Sequence, residues 1–207
     1  MRNIIVSILM AMSFVSSVFS QNMSEAQIRT KINQAAAQLQ TLQCDFVQTK
    51  YLKMLNDKLV SHGKMYYKKS DKLRWEYTTP YHYIFILNGS KVLLKNEKRN
   101  DIIDVNQNKV FKEIARLMMN SVVGKSLSDS RDFSSKIASS NSELIATLTP
   151  MRKDLKQMFK EISLYFSRNT SLVYKVILVE KNGDKTVIEL KNAKKNESIN
   201  TNIFNVD

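Results

Sequence analysis

Several residue types that build sites or staples are scarce in this chain of 207 residues. The single cysteine, Cys44, excludes a disulfide framework and any multi-cysteine zinc site. The two histidines, His62 and His82, are too few and too far apart for a histidine metal motif. Four glycines and two prolines exclude collagen-like and proline-rich linker architectures. No Gly-x-Ser-x-Gly occurs, so the nucleophile elbow of the α/β-hydrolases is missing. Carboxylates such as Glu76 and Asp104 have no close partner in sequence, and no acid–base pair stands out. Gly124-Lys125-Ser126 has the look of a phosphate-loop tail. Met119, however, stands where the first glycine belongs, and the triplet closes a helical pattern instead of opening one. A helix cap with a solvated lysine is the simpler reading. Cys44 reads as a small buried hydrophobe, and His82, between Pro80 and tyrosines, as a structural residue. The chain is expected to be no enzyme and to need no cofactor or metal.

What is present is ordinary globular material with one bias. Hydrophobic residues make up 43% and charged residues 25%, enough for a sizeable core. The bias is charge: 32 Lys and Arg against 19 Asp and Glu give a net +13. A basic surface favours anionic partners. The lysines are scattered from Lys64 to Lys195 and form no single stripe with stacking aromatics, so no nucleic-acid partner is expected. A transient anionic membrane surface suits the charge better. At the start, Arg2 precedes a short apolar run, Ile4 to Phe19, broken by serines and closed by Ser20. This is the pattern of a cleavable signal peptide over residues 1–20, and it implies export. No cysteine follows the expected cleavage point, which disfavours lipid anchoring of the mature chain. Residues 21–207 show no linker or repeat and read as one domain.

Ser24 and Gln27 form the sequence signature of a capping box. The apolar stripe Ile28, Ile32, Ala35, Leu39 and Leu42 then predicts an amphipathic helix of about five turns. From Cys44 the period changes to two. Strand patterns run through Phe46–Tyr51, Met65–Tyr67, Leu73–Tyr77, Tyr83–Leu87 and Val92–Leu94, with Asn88-Gly89 predicting a type I′ hairpin. A second amphipathic helix is expected from about Asn108 to Val123, soft and apolar at Leu117-Met118. Strand-like runs return at Ser135–Ala138 and Leu144–Leu148. A short helical turn is expected within Met151–Lys160, followed by a meander over Ile162–Phe166, Val173–Val179 and Thr186–Leu190.

Roughly ten strands and two helices predict a mainly β, α+β fold. Two amphipathic helices cannot cover both faces of so large an antiparallel sheet. The sheet is therefore expected to curl into an unclosed barrel, with the helices as lid or plug over a hydrophobic concave face.

The order of these features resembles the outer-membrane lipoprotein carrier family, the LolA-like proteins. The resemblance rests on the leading helix, Phe46-x-Gln48, Gly63 before Tyr66-Tyr67-Lys68, Leu73-Arg74-Trp75-Glu76-Tyr77, Pro80 and the Asn88-Gly89 hairpin. Beyond Val105 it is carried by the second helix, Leu148-Thr149-Pro150, Asn182-Gly183 and Ile203-Phe204. It implies a periplasmic, non-catalytic carrier that shields lipoprotein acyl chains between the inner and outer membranes. The implied partners are acylated lipoproteins, an inner-membrane releasing transporter and an outer-membrane acceptor, with a monomer as the form suited to a shuttle. A related periplasmic lipid-binding or lipoprotein-sensing module of the same fold is the alternative. Leu73 and Trp75 match the family's inward-facing positions, and Tyr77 shares their parity. With Phe46, Leu117 and Met118 they are the expected acyl-chain wall. A basic residue that touches the lid in the family, followed there by proline, corresponds to Lys69-Ser70 here. Lysine lacks the planar donor fork of arginine.

Overall fold

The computed structural model describes residues 23–107, 119–120, 127, 131–139 and 143–206. The expected signal peptide, Leu117, Met118, Gly124-Lys125-Ser126 and most of the expected second helix lie outside the described residues.

The chain enters through α1 (Glu25–Gln38). Its start is the expected capping box: Gln27 N donates to Ser24 Oγ at 3.3 Å, and Ser24 N donates to Gln27 Oε1 at 2.8 Å. The helix is shorter than five turns. Leu39 is already extended, and Leu42 lies in the first strand. Leu42 satisfies both periods, continuing the helical stripe and facing the same way as Cys44 and Phe46, so it is buried in either conformation. Backbone pairing decides in favour of the strand, since Leu42 sits opposite Tyr67.

Among the described residues eleven strands follow: β1 (Thr41–Leu52), β2 (Asp57–Lys68), β3 (Lys72–Thr79), β4 (Tyr83–Asn88), β5 (Lys91–Asn96), β6 (Asn100–Asp104), β7 (Phe133–Ser139), β8 (Glu143–Pro150), β9 (Phe159–Ser167), β10 (Val173–Glu180) and β11 (Lys185–Lys195). A short helix, α2 (Lys153–Met158), fills the β8–β9 connection. All strands join one antiparallel sheet in the order β6-β5-β4-β3-β2-β1-β11-β10-β9-β8-β7. Two meanders are thus sewn together where β1 pairs β11. The edges β6 and β7 do not pair, so the barrel is unclosed, as expected.

Two local expectations change. The β4–β5 connection uses Gly89-Ser90 as its central pair, because Asn88 still pairs with Lys91. Gly89 has φ +61° while Ser90 has no positive φ. That is the pattern of a type II′ turn, in which glycine takes the first central position. β6 carries two isoleucines between Asn and Asp, too polar a run to announce itself, and it forms because an edge strand needs only one paired side.

Burial sorts the sheet into faces. Strict alternation along β8 and β9 buries Leu144, Ala146, Leu148, Ile162, Leu164 and Phe166 on the inner face. Leu42, Cys44 and Phe46 of β1 do the same in the other half. Ile28 and Ile32 of α1 pack with the β7–β11 group, whereas Ala35 and Leu39 pack with the β1–β6 group. The helix therefore lies across the inner face of both halves. On the outer face, the terminal 3₁₀ turn Thr201–Phe204 buries Phe204 against Ile86 and Leu93. Arg74 Nη1 donates to Ile203 O at 3.1 Å and holds that segment down.

Candidate functional site

The register of β1 to β5 lays the expected acyl-chain wall out in rows. Trp75 stands between Met65 and Phe85, Leu73 between Tyr67 and Leu87, and Tyr77 between Gly63 and Tyr83. Phe46 is opposite Gly63 across the β1–β2 pair. Glycine is required there: a Cβ on Gly63 would lie 2.5 Å from Phe46 Cζ and 2.0 Å from Glu76 O. The Phe46 ring occupies the space a side chain would take. It lies 4.5 Å from the Trp75 ring, tilted by 32°, and meets Tyr77 edge-on at 5.2 Å. Tyr83 and Tyr81 continue the cluster, 6.2 and 5.8 Å from Tyr77.

Phe46, Leu73 and Trp75 are thus brought together and are 1%, 0% and 5% exposed. Tyr77 is half-buried beside them. Leu117 and Met118 lie outside the described residues, but Met119, with helical backbone, is buried in the same group. Among the described residues, part of the expected hollow is covered. α1 reaches across the face, and Leu39 and Ala35 take up space against the wall. Sequence reading missed Met65, Tyr67, Phe85 and Leu87 as members of this wall. Parity carried across each hairpin from Trp75 would have found them.

The polar groups here are few. Tyr77 Oη donates to Gln48 Oε1 at 3.0 Å. Burial pushes the Tyr77 phenol up to about 12, with neighbouring Tyr81 adding to the shift. Burial also pushes the Cys44 thiol up to about 12, with Asp45 second, so the thiol stays protonated and poorly nucleophilic. The Trp75 indole N–H has no hydrogen-bond partner among the described residues. The Tyr77 phenol is its polar neighbour. Lys69 sits in the β2–β3 turn at the rim. Its Nζ donates to Ala37 O near the C-terminal end of α1 at 3.0 Å, and its backbone N donates to Gln40 O at 2.7 Å. A cation suits that end of a helix, where carbonyls are unpaired.

This arrangement offers apolar contact and ring stacking. It suits hydrocarbon better than it suits bond-making.

The family model for outer membrane lipoprotein carrier protein LolA matches residues 37–207. No curated protein matches the chain by sequence. Among solved structures, the Pseudomonas aeruginosa MucA/MucB complex aligns with a TM-score of 0.53 at 12% identity, over 86% of this chain and 59% of that one. An uncharacterised conserved protein from Thermus thermophilus aligns at 0.51 and 8%, over 86% and 90%. A LolA superfamily protein from Nitrosomonas europaea aligns at 0.47 and 10%, over 89% and 98%. At these identities the first two likenesses speak to the fold alone.

Proposed function

The chain belongs to the outer membrane lipoprotein carrier (LolA) family, and from that premise we propose that it shields the acyl chains of lipoproteins on the inner face of its sheet, in the periplasm, and hands them on without covalent chemistry. The single observation that carries this reading is the wall itself. Phe46, Leu73, Trp75 and Tyr77 form one apolar face whose described cover includes a 14-residue helix. Moving that helix converts a closed core into a groove.

The energetics are suitable. A 16-carbon chain leaving water gains about 12 kcal/mol, at about 0.8 per methylene, and a bilayer offers the same. A carrier therefore needs only an approximate match to the membrane, plus a way to let go. Displacing α1 exposes Leu39 and the aromatic wall to water, which is unfavourable when the groove is empty. Cargo in the groove offsets that cost, so occupancy and opening are coupled. In this reading Lys69 tethers the helix end in the closed form and releases it on opening, through one ammonium contact instead of an arginine fork.

Trp75 is the chain's only tryptophan, so it reports on its own wall. A triacylated lipopeptide carrying brominated acyl chains should quench Trp75 fluorescence at one lipopeptide per protein. The unacylated peptide should not. Native mass spectrometry of the exported protein should find acylated species retained. Tight lipopeptide binding that leaves Trp75 unquenched would sink this placement of the site. Retention of free lipids without lipopeptide uptake would turn the assignment to the lipid-binding alternative.

A further inference from the structure

The β1–β2 hairpin outruns β3 on one side, while on the other β11 stays paired with β1 as far as Tyr51. β3 ends at Thr79, opposite His62, while β1 and β2 stay paired as far as Leu52 and Asp57. The turn beyond carries Met54 and Leu55, 90% and 71% exposed, the most exposed large hydrophobics among the described residues. Leu59 and Val60, also exposed, point to opposite faces of the stretch of β2 that has no β3 beside it.

Cations ring the tip. The stem of Lys53 lies against Gly183, whose added Cβ would meet Lys53 Cδ at 2.6 Å. Lys185 Nζ lies 4.8 Å over the Tyr51 ring. Together with Lys58 these residues line a cleft of about 620 Å³. The nearby carboxylates are engaged: Asp57 accepts from Lys58 N at 2.7 Å, and Asp184 is buried and accepts from Lys53 N at 3.0 Å.

The tip lies at a particular end of the sheet. Tyr81, in the β3–β4 connection at that end, is 55% exposed. Its ring leads inward to Tyr77, then Phe46, then Trp75, at successive spacings of 5.8, 5.2 and 4.5 Å. An acyl chain leaving along that aromatic line would emerge beside the hairpin.

We propose that the β1–β2 tip is a membrane-docking element, which sinks Met54 and Leu55 into the interface of an anionic bilayer while Lys53, Lys58 and Lys185 meet lipid phosphates. Apolar side chains on a projecting turn, with lysines behind them, match a bilayer surface, which accepts a convex wedge and attracts cations. The net charge of +13 acts in the same direction. The proposal deepens the carrier reading and rests on it only for the direction of lipid passage.

Co-sedimentation of the exported protein with phosphatidylcholine vesicles, with and without phosphatidylglycerol, tests it. Binding is expected with the anionic lipid and should weaken with salt. Met54→Ser with Leu55→Ser should lower vesicle partitioning about tenfold or more, because two apolar side chains are withdrawn from the interface. Lys53→Gln with Lys58→Gln should lower it as well. Both pairs of substitutions are at the hairpin tip, so circular dichroism and quenching of Trp75 by the brominated lipopeptide should match the parent. Failure of the parent to bind anionic vesicles, the result expected if a protein surface is the tip's partner, overturns the proposal. Undiminished binding by the double serine variant overturns it too. Loss of lipopeptide quenching in the parent, with vesicle binding intact, would count against the carrier reading and leave the tip standing.

Discussion

The β1–β6 and β7–β11 halves of the sheet share a seam and a helix, but they are packed in different ways. In the second half, mostly aliphatic side chains interdigitate around two separate buried phenylalanines, Phe133 and Phe166: Leu164 faces Ala146, Ile162 faces Leu148, and Ile28 and Ile32 of α1 come down onto them. In the first half the wall is aromatic, and one glycine makes room for a ring. The helix differs along its length in the same sense. Its N-terminal part contributes isoleucines and Arg29, whose Nη1 donates to Leu127 O at 2.7 Å and Ser135 Oγ at 3.1 Å. Its C-terminal part contributes Ala35, with Leu39 just beyond it, and is held by Lys69 Nζ and by Asn196 Nδ2, which donates to Gln38 O at 3.4 Å. Small residues bury less area, so they bind a helix less strongly. On the proposed carrier reading, the C-terminal end of α1 is therefore the end that lifts.

The largest effect expected from this contrast is in the aliphatic half. Phe166 is 1% exposed. Phe166→Ala should cost about 4 kcal/mol, the usual cost of emptying a buried aromatic site, read as a lower midpoint in urea unfolding. Quenching of Trp75 by the brominated lipopeptide, per folded molecule, should be unchanged. A matching loss of lipopeptide affinity would show that the halves do not divide the work.

Next in size is Gly63→Ala in the aromatic half. The added methyl meets Phe46 and the Glu76 carbonyl at distances that no Cβ tolerates. Overpacking should cost about 3 kcal/mol. Here lipopeptide quenching should weaken as well, because Phe46 must leave its place beside Trp75. Stability loss with full quenching would mean that the ring's position is irrelevant to the site.

The sequence made the aromatic half more legible than the aliphatic one, for a physical reason. Trp75, Gly63, the two-residue hairpin and the alternation of Leu73, Trp75 and Tyr77 are rare residues at fixed spacings, and each admits few structures. The other half is mostly leucine, isoleucine, valine and alanine at period two, with two buried phenylalanines, which announces strands but not which strands pair. Nothing in β1 or β11 taken alone says that they form the seam. That contact joins residues such as Phe46 and Leu190, far apart in the chain, and only the closure of both meanders on α1 fixes it. The helix end was misjudged because Leu42 fits both periods. The packing of α1 on the wall was not legible either, since composition tells that a face is apolar and not what lies on it.

The smallest effect sharpens the contrast at a single oxygen. Tyr77→Phe removes the donor to Gln48 Oε1 and should cost about 1 kcal/mol near neutral pH, the net value of one hydrogen bond. Its clearer signature is at high pH. The phenol is held up to about 12 by burial, against about 10 in an unfolded chain. Below pH 10 both states keep the proton, and the advantage of the neutral buried phenol is fully present. Between pH 10 and 12 the unfolded chain ionises while the folded one does not, so stability falls with rising pH until the folded phenol also ionises. The parent should therefore lose more stability than the Phe variant between about pH 9 and pH 11, and ultraviolet titration should show one late tyrosine fewer in the variant. Equal losses in the two proteins would place Tyr77 in water, at an open mouth, and would move the boundary between the closed wall and its exit inward to Phe46.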